Sequence, residues 1–340
     1  MFQRILVPLD GSALAEQAIP TAGRIARATG GSVVLVRAIL PPVHYEYGPY
    51  MLRPTFTVFD QEVQEALQEA THYLERVATS SSLAGIETAV VAETGSAAAM
   101  ILSVTTDRHG DLIVLCTHGK TGLQRWLLGS VAQKVARHAP VPVLVLHPHP
   151  PTAGPHPQRE RPLRVLVPLD GSALAKAALS PAAHLVAALA APGQGAVHLL
   201  RVVKADTLPG ERLDPVATEQ LLHKAKTYLA SVSGHVQEGL AHELKLAVSW
   251  SVMVESDAAE AIIRGAQIGE DPEGSGAFGG ADLIALATHG RGGLQHWALG
   301  SVAERVLAGT TLPVLIVRPQ PAATEQVIHQ VGARQAEVQV

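Results

Sequence analysis

Two aspartates, Asp10 and Asp170, each follow a short apolar run and precede a Gly-Ser pair and a helix-like segment. A carboxylate at the end of a buried strand can accept hydrogen bonds from a ribose hydroxyl or an adenine amine, and it would repel a phosphate. Aspartate is also a common helix N-cap, so the same position admits a purely structural role. We therefore treat both aspartates as candidate ligand-binding residues, with helix capping as the alternative.

Two further segments combine Thr-His-Gly with a Gly-Ser pair that follows after nine residues. Glycines between a strand and a helix let backbone N–H groups approach an anion, and the N-terminus of the helix favours negative charge. These loops therefore predict a cradle for phosphates. The residues concerned are Gly119, Gly129 and Ser130 in one copy and Gly290, Gly300 and Ser301 in the other.

Other nucleotide motifs are excluded by single positions. Residues 119–121 end like a Walker A loop, but that motif needs a glycine five residues before Gly119, where Val114 stands.

His118 and His289 are of the residue type that most often serves in acid–base catalysis, although we favour loop stabilisation through backbone hydrogen bonds. Because no strong general base emerges, we expect no catalytic residues and at most a slow enzyme.

These candidate residues lie in an internal repeat. Residues 4–15 recur as residues 164–175 with one conservative difference in twelve positions, and residues 117–148 realign on residues 288–319. Two copies of one design follow, since chance does not produce such a match. The expected organisation is a first domain at 1–148, a proline-rich linker at 149–161, a second domain at 162–319 and a C-terminal tail at 320–340.

Within each half, apolar runs alternate with helical stretches. Runs such as Leu112–Cys116 and Leu283–Ala287 lack polar alternation, as expected of strands that are covered on both faces. In the second half, a further strand is expected at 242–248. The alternation implies right-handed crossovers. It predicts an α/β fold of two tandem doubly wound domains, each a mainly five-stranded parallel sheet with helices on both faces.

Composition limits the partners and the compartment. The formal charge is −4, aromatic residues make up only 4%, and no dense basic run appears, so we expect no nucleic-acid partner. The apolar stretch at 177–191 is interrupted by polar residues and proline, so no membrane partner is expected. A single cysteine, Cys116, and a chain that opens directly into a strand predict a cytoplasmic protein.

On the repeated Asp-Gly-Ser and Gly-x9-Gly-Ser segments, the chain resembles a tandem universal stress protein. Nucleotide-binding members of that family share Gly-x2-Gly-x9-Gly-(Ser/Thr), and here Cys116 and Ala287 replace the leading glycine. The resemblance implies a Rossmann-like, adenine nucleotide alpha hydrolase-like fold. It also implies a stress-response protein that binds ATP or another adenine nucleotide in one or both domains, with Mg²⁺ held through the phosphates.

The resemblance also assigns roles to residues. Asp10 and Asp170 would hold the adenosine end, and Ala38 and Val202, just past the second strand of each half, would lie against adenine. The glycines and serines named above would hold ribose and phosphates. Since a cysteine is bulkier than an alanine, we expect the second site to dominate.

For assembly, the resemblance implies an intramolecular pseudo-dimer through the last strands, with a further homodimer possible. The alternative function is a stress-induced interaction scaffold that does not bind nucleotide, which the missing leading glycines would permit.

Overall fold

The computed structural model describes residues 1–40, 44–47, 52–55, 60–117, 129–147, 161–204, 215–269, 279–288 and 299–319. The chain divides into two compact units, Met1–Gln158 and Arg159–Val340. This division falls inside the proline-rich segment at 149–161.

In the first unit, five parallel strands form a sheet in the order β7-β6-β1-β2-β5. The order reverses its direction between β1 and β6, which makes the carboxyl ends of these two strands a topological switch point. The elements are β1 (Arg4–Pro8), α1 (Ala13–Glu16), α2 (Ala18–Thr29), β2 (Ser32–Ile39), β3 (His44–Tyr47), β4 (Leu52–Thr55), α3 (Asp60–Ala78), β5 (Thr88–Thr94), α4 (Ala97–Asp107), β6 (Leu112–Cys116), α5 (Ser130–His138) and β7 (Val143–Leu146).

The second unit repeats this topology in the order β10-β9-β8-β11-β12, and its switch point lies between β8 and β11. The doubly wound α/β fold predicted for each half is thereby confirmed. The elements are β8 (Leu163–Pro168), α6 (Ala173–Lys176), α7 (Leu179–Ala190), β9 (Gly195–Val203), α8 (Pro215–Val236), α9 (His242–Leu244), β10 (Ala247–Val254), α10 (Ala258–Ile268), β11 (Leu283–Ala287), α11 (Ser301–Gly309) and β12 (Val314–Val317).

The strand expected at 242–248 is wrong. The long helix α8 continues through a π turn, Gln237–Ala241, into α9, and β10 begins only at Ala247. The helical segment ends at Lys245, whose φ of 54° is left-handed. A lysine in that conformation is unusual, so the sequence carries no stop signal there.

The first unit also contains an antiparallel hairpin, β3 and β4, which the sequence analysis did not predict. It follows β2 and precedes α3. The helical segment after β1 is divided at Gln17 into α1 and α2, and α2 ends at Gly30, whose φ of 66° is left-handed.

One stretch, Ala173–Ala190, which overlaps the apolar segment at 177–191, is long and apolar enough by length and composition to cross a membrane. However, 56% of its residues are buried inside the fold. It covers a face of the sheet as α6 and α7, and a core helix of a water-soluble protein passes the same test.

At the amino edge of each sheet, an aspartate fixes the start of the first strand. Asp111 accepts hydrogen bonds from the backbone N–H groups of Gln3 (2.7 Å) and Arg4 (3.0 Å). Asp282 accepts one from the N–H of Arg164 at 2.8 Å and pairs with the Arg161 guanidinium at 3.1 Å. Both aspartates therefore have a structural role at this edge.

Candidate functional site

Asp10 and Asp170 lie in the loops directly after β1 and β8, at the switch points. The Oδ1 atom of each accepts a hydrogen bond at 2.9 Å from the N–H of the serine two residues on. That serine, Ser12 or Ser172, is the N-cap of the following helix. The aspartates therefore do not cap the helices, so the helix-capping alternative is wrong, although each carboxylate stabilises its loop through this hydrogen bond. A carboxylate accepts up to about four hydrogen bonds, so this contact is compatible with ligand binding.

The loop conformation depends on a glycine between the aspartate and the serine. Gly11 has a φ of +84° and Gly171 a φ of +88°, a region in which other residues are strained. A Cβ on Gly11 would also lie 3.4 Å from the Arg37 guanidinium. Arg37 is not among the predicted site residues, because the contact between β2 and this loop is not visible in local sequence spacing.

The residues assigned to adenine are placed differently from the prediction. Ala38 and Val202 lie within β2 and β9, one residue before the last residue of each strand, rather than just past them. The reason is that both strands remain paired along this stretch, Ala38 opposite Glu93 and Val202 opposite Met253. Both side chains are partly exposed near the carboxyl edge.

The two Gly-Ser pairs begin the helices α5 and α11. The N–H of Gly129 donates to the carbonyl of Thr117 at 2.8 Å, and Gly300 makes the same bond to Thr288 at 2.8 Å. A Cβ on Gly300 would lie 2.8 Å from that carbonyl oxygen, so glycine permits the close approach. Each helix N-terminus is thereby fixed beside the strand end at the switch point.

Neither of these helices has a side-chain cap within the described part of the chain. Their first-turn N–H groups, including those of Ser130 and Ser301, point toward the carboxyl edge of the sheet. Helix N-termini of this kind favour an anion. Gly119 and Gly290, as well as His118 and His289, lie outside the described residues.

At the position of the leading glycine, Cys116 ends β6 and Ala287 ends β11. Burial, with a smaller contribution from the nearby Asp10 carboxylate, raises the pKa of Cys116 to about 12. The thiol is therefore neutral near pH 7 and adds volume without charge. The effect of Asp10 on Cys116 also indicates that the aspartate faces the end of β6 across the switch point.

Each half thus combines a carboxylate acceptor with the N–H donors of a helix at one edge of the sheet. Such a site suits a ligand with hydroxyl groups at one end and an anion at the other. Among the described residues, no group of three or more His, Cys, Asp or Glu side chains could hold a metal ion.

The fold and the paired switch-point sites define a tandem, Rossmann-like α/β protein. The model of the Universal stress protein family matches residues 1–147 and 279–318, and the chain belongs to this family.

Individual relatives agree. A universal stress protein of Mycobacterium tuberculosis is 32% identical over 222 residues, which make up 63% of this chain and 64% of that protein. The match thus spans slightly less than two thirds of the relative's length. A universal stress protein of Mycolicibacterium smegmatis is 25% identical over 321 residues and covers 93% of this chain and 97% of its own.

Among solved structures, a universal stress protein from Archaeoglobus fulgidus has a TM-score of 0.60 at 19% identity, covering 94% of this chain and 99% of its own. At this identity the likeness supports the fold alone.

Proposed function

We propose that this protein is a cytoplasmic stress-response protein that binds ATP or a related adenine nucleotide in one or both domains, with little or slow hydrolysis. One observation carries the proposal. In each half, an aspartate loop and the N-terminus of a nine-residue helix lie at the same switch point, where open α/β sheets bind ligands.

In the proposed complex, Asp10 and Asp170 accept hydrogen bonds from the ribose hydroxyls. Ala38 and Val202 lie against the adenine ring, where a small apolar side chain leaves room for it. The N–H groups of α5 and α11, with the hydroxyls of Ser130 and Ser301, hold the phosphates. Gly119 and Gly290 complete the phosphate loops, and Mg²⁺ neutralises part of the phosphate charge.

The two sites differ at the leading motif position. Cys116 places a sulfur beside the proposed phosphates, whereas Ala287 places only a methyl group there. Because the thiol stays protonated, the difference is steric rather than electrostatic. We therefore expect the second domain to bind nucleotide more tightly than the first.

The direct test is to denature the purified full-length protein and identify any released nucleotide by chromatography. Calorimetric titration with ATP and Mg²⁺ follows on nucleotide-free protein. Released adenine nucleotide or measurable binding supports the proposal. If neither is found, the nucleotide proposal is wrong, and the interaction-scaffold alternative takes its place.

Matched variants then separate the two sites. Ser301→Ala should reduce ATP binding more than Ser130→Ala, because the second site is expected to dominate. Cys116→Gly should increase binding at the first site, and Ala287→Gly should have the smaller effect because it removes the smaller side chain. Equal losses in the two serine variants would contradict the expected order of the sites.

A further inference from the structure

In each half, an arginine of the second strand packs on a tyrosine of the long helix. The Cζ atom of Arg37 lies 4.8 Å from the centroid of the Tyr73 ring, and that of Arg201 lies 5.2 Å from the Tyr228 centroid. Both distances are those of a cation–π contact. The planar stacking limits the freedom of each guanidinium and holds its charge in place.

This pair adjoins the aspartate loop. The Arg37 guanidinium lies within 3.4–3.6 Å of the point where a Cβ on Gly11 would stand, immediately after Asp10. Asp10 is also among the negative charges that raise the pKa of Tyr73, behind burial and Glu16. In the second half, Arg201 precedes Val202 as Arg37 precedes Ala38, so it has the same place beside the Asp170 loop.

A third side chain joins each pair, and here the two halves have opposite charge. Glu16 is the last residue of α1, and its Oε1 accepts a hydrogen bond from the Tyr73 hydroxyl at 2.8 Å. Lys176 is the last residue of α6, and its Nζ lies 5.4 Å from the centroid of the Tyr228 ring. The same position therefore carries an anion in one half and a cation in the other.

We call these groups the first cluster (Asp10, Glu16, Arg37 and Tyr73) and the second cluster (Asp170, Lys176, Arg201 and Tyr228). The first has two carboxylates and one guanidinium, a net charge of −1, and the second has one carboxylate and two cations, a net charge of +1.

A further arginine, Arg76, lies 5.7 Å from the Tyr73 ring and offsets part of this difference. It is exposed and lies one helical turn beyond Tyr73 in α3. Because a crossover helix runs antiparallel to its strands, that turn leads away from the carboxyl edge by about 4.5 Å. Its charge is therefore more strongly screened at the proposed phosphate position than that of Glu16.

We propose that the second cluster makes the second domain selective for adenine nucleotides that carry several phosphate charges, and that the first cluster leaves the first domain without this preference. This inference rests on the proposed function, since it concerns which ligand each site prefers. Lys176 acts here as a specificity-determining residue through its charge, without contacting the adenosine end directly.

The size of the effect follows from screened electrostatics. Replacing Lys176 by glutamate changes the local charge by two units, and for the calculation we take a separation on the order of 10 Å between this position and the phosphates. For Mg-ATP, with a net charge of about −2, this predicts about twofold weaker binding at 0.15 M salt and close to tenfold at 0.01 M salt. Adenosine carries no charge, so its affinity should change by less than about twofold at either salt concentration.

The experiment isolates each site in the full-length chain. In an Asp10→Ala background, which disables the first site, calorimetry compares Mg-ATP with adenosine for Lys176→Glu and for the neutral control Lys176→Gln. The control should show about a threefold loss of Mg-ATP affinity at 0.01 M salt, half the effect on a logarithmic scale. In an Asp170→Ala background, Glu16→Lys should strengthen Mg-ATP binding at low salt, whereas Glu16→Gln keeps an acceptor for Tyr73 and tests for folding damage.

The outcomes are distinguishable. If Lys176→Glu weakens adenosine and Mg-ATP equally, or if its effect on Mg-ATP does not depend on salt, the cluster is structural and the inference is overturned. If the protein binds adenosine and Mg-ATP but Lys176→Glu leaves the Mg-ATP affinity unchanged, the inference is overturned and the proposed function stands. If the wild-type protein binds no adenine compound, both are overturned together.

Discussion

The second unit contains a buried histidine whose protonation should limit its stability in acid. His198, in β9, is only 2% exposed, and its two ring nitrogens lie 2.9 Å and 2.8 Å from the hydroxyls of Ser249 and Ser251 in β10. Burial, with a smaller contribution from the charge of Arg164, lowers the pKa of His198 from 6.5 to about 3. The histidine is therefore neutral in the folded protein at any pH above this value.

The sign and size of the effect follow from linkage. The folded pKa lies below the unfolded value of 6.5, so the unfolded chain binds the proton more readily in acid. The contribution of neutral His198 to the free energy of unfolding is fully present above pH 6.5 and is lost as the pH falls toward 3. Each pH unit in this window costs ~1.36 kcal/mol, so the second unit should lose about 2.7 kcal/mol at a pH two units below 6.5.

The first unit supplies a matched control. Strand register places Val34 at the position that corresponds to His198, and Ala89 and Val91 at the positions that correspond to Ser249 and Ser251. The triple variant His198→Val, Ser249→Ala, Ser251→Val therefore gives the second unit an apolar contact that already occurs in this chain. It also avoids leaving two serine hydroxyls without the histidine, which a single substitution would do.

The assay is urea unfolding at several pH values, followed by hydrogen exchange of β9 and β10 peptides so that the second unit is measured separately. With a slope of about 2 kcal/mol/M, the wild-type midpoint should fall by roughly 1–2 M more than that of the variant between pH 7 and pH 4.5. Subtracting the variant removes the other groups that titrate in this range. An identical acid loss in the two proteins would refute the neutral, buried state of His198.

Three further predictions test other parts of the structure. Because its pKa is about 12, native Cys116 should react with an aromatic disulfide reagent at pH 8 on the order of a thousandfold more slowly than in unfolded protein; equal rates would contradict its burial. Asp282→Ala should lower the urea-unfolding free energy by about 1–3 kcal/mol because the N–H of Arg164 loses its acceptor, and an unchanged midpoint would show that this bond contributes nothing. Gly300→Ala should lower the melting temperature and weaken Mg-ATP binding, since its Cβ would lie 2.8 Å from a strand-end carbonyl oxygen. The control Gly234→Ala, at a helical position where a Cβ meets nothing within 4 Å, should not destabilise the protein.

The strands β6 and β11, each on one side of a switch point, could be predicted from the sequence with accurate bounds. Leu112–Cys116 and Leu283–Ala287 are confirmed at both ends. Buried parallel strands are continuous apolar runs, so their ends coincide with the first polar residue or turn. The internal repeat also supports each assignment, because a strand predicted in one half must have a counterpart in the other half.

The errors arise where structure depends on contacts that local sequence does not reveal. The strand expected at 242–248 is one such case, because the helical segment of α8 continues through the π turn into α9 and occupies the start of that range. Similarly, Asp10 and Ser12 are both good N-cap residues, and only the backbone geometry shows that the serine takes this role. The stacking of Arg37 on Tyr73 joins residues far apart in sequence, so no spacing rule predicts it.

The differences between the halves point to a division of ligand preference on one scaffold. Both units place an Asp-Gly-Ser loop, a stacked arginine and a helix that starts with Gly-Ser around the switch point. The side chains at this edge differ between the halves in charge, as Glu16 and Lys176 do, or in size, as Cys116 and Ala287 do. The secondary-structure elements that carry them are the same in both halves. Since backbone geometry sets where a ligand lies and side-chain charge sets which ligand is favoured, we expect the two domains to share a binding mode and to differ in selectivity.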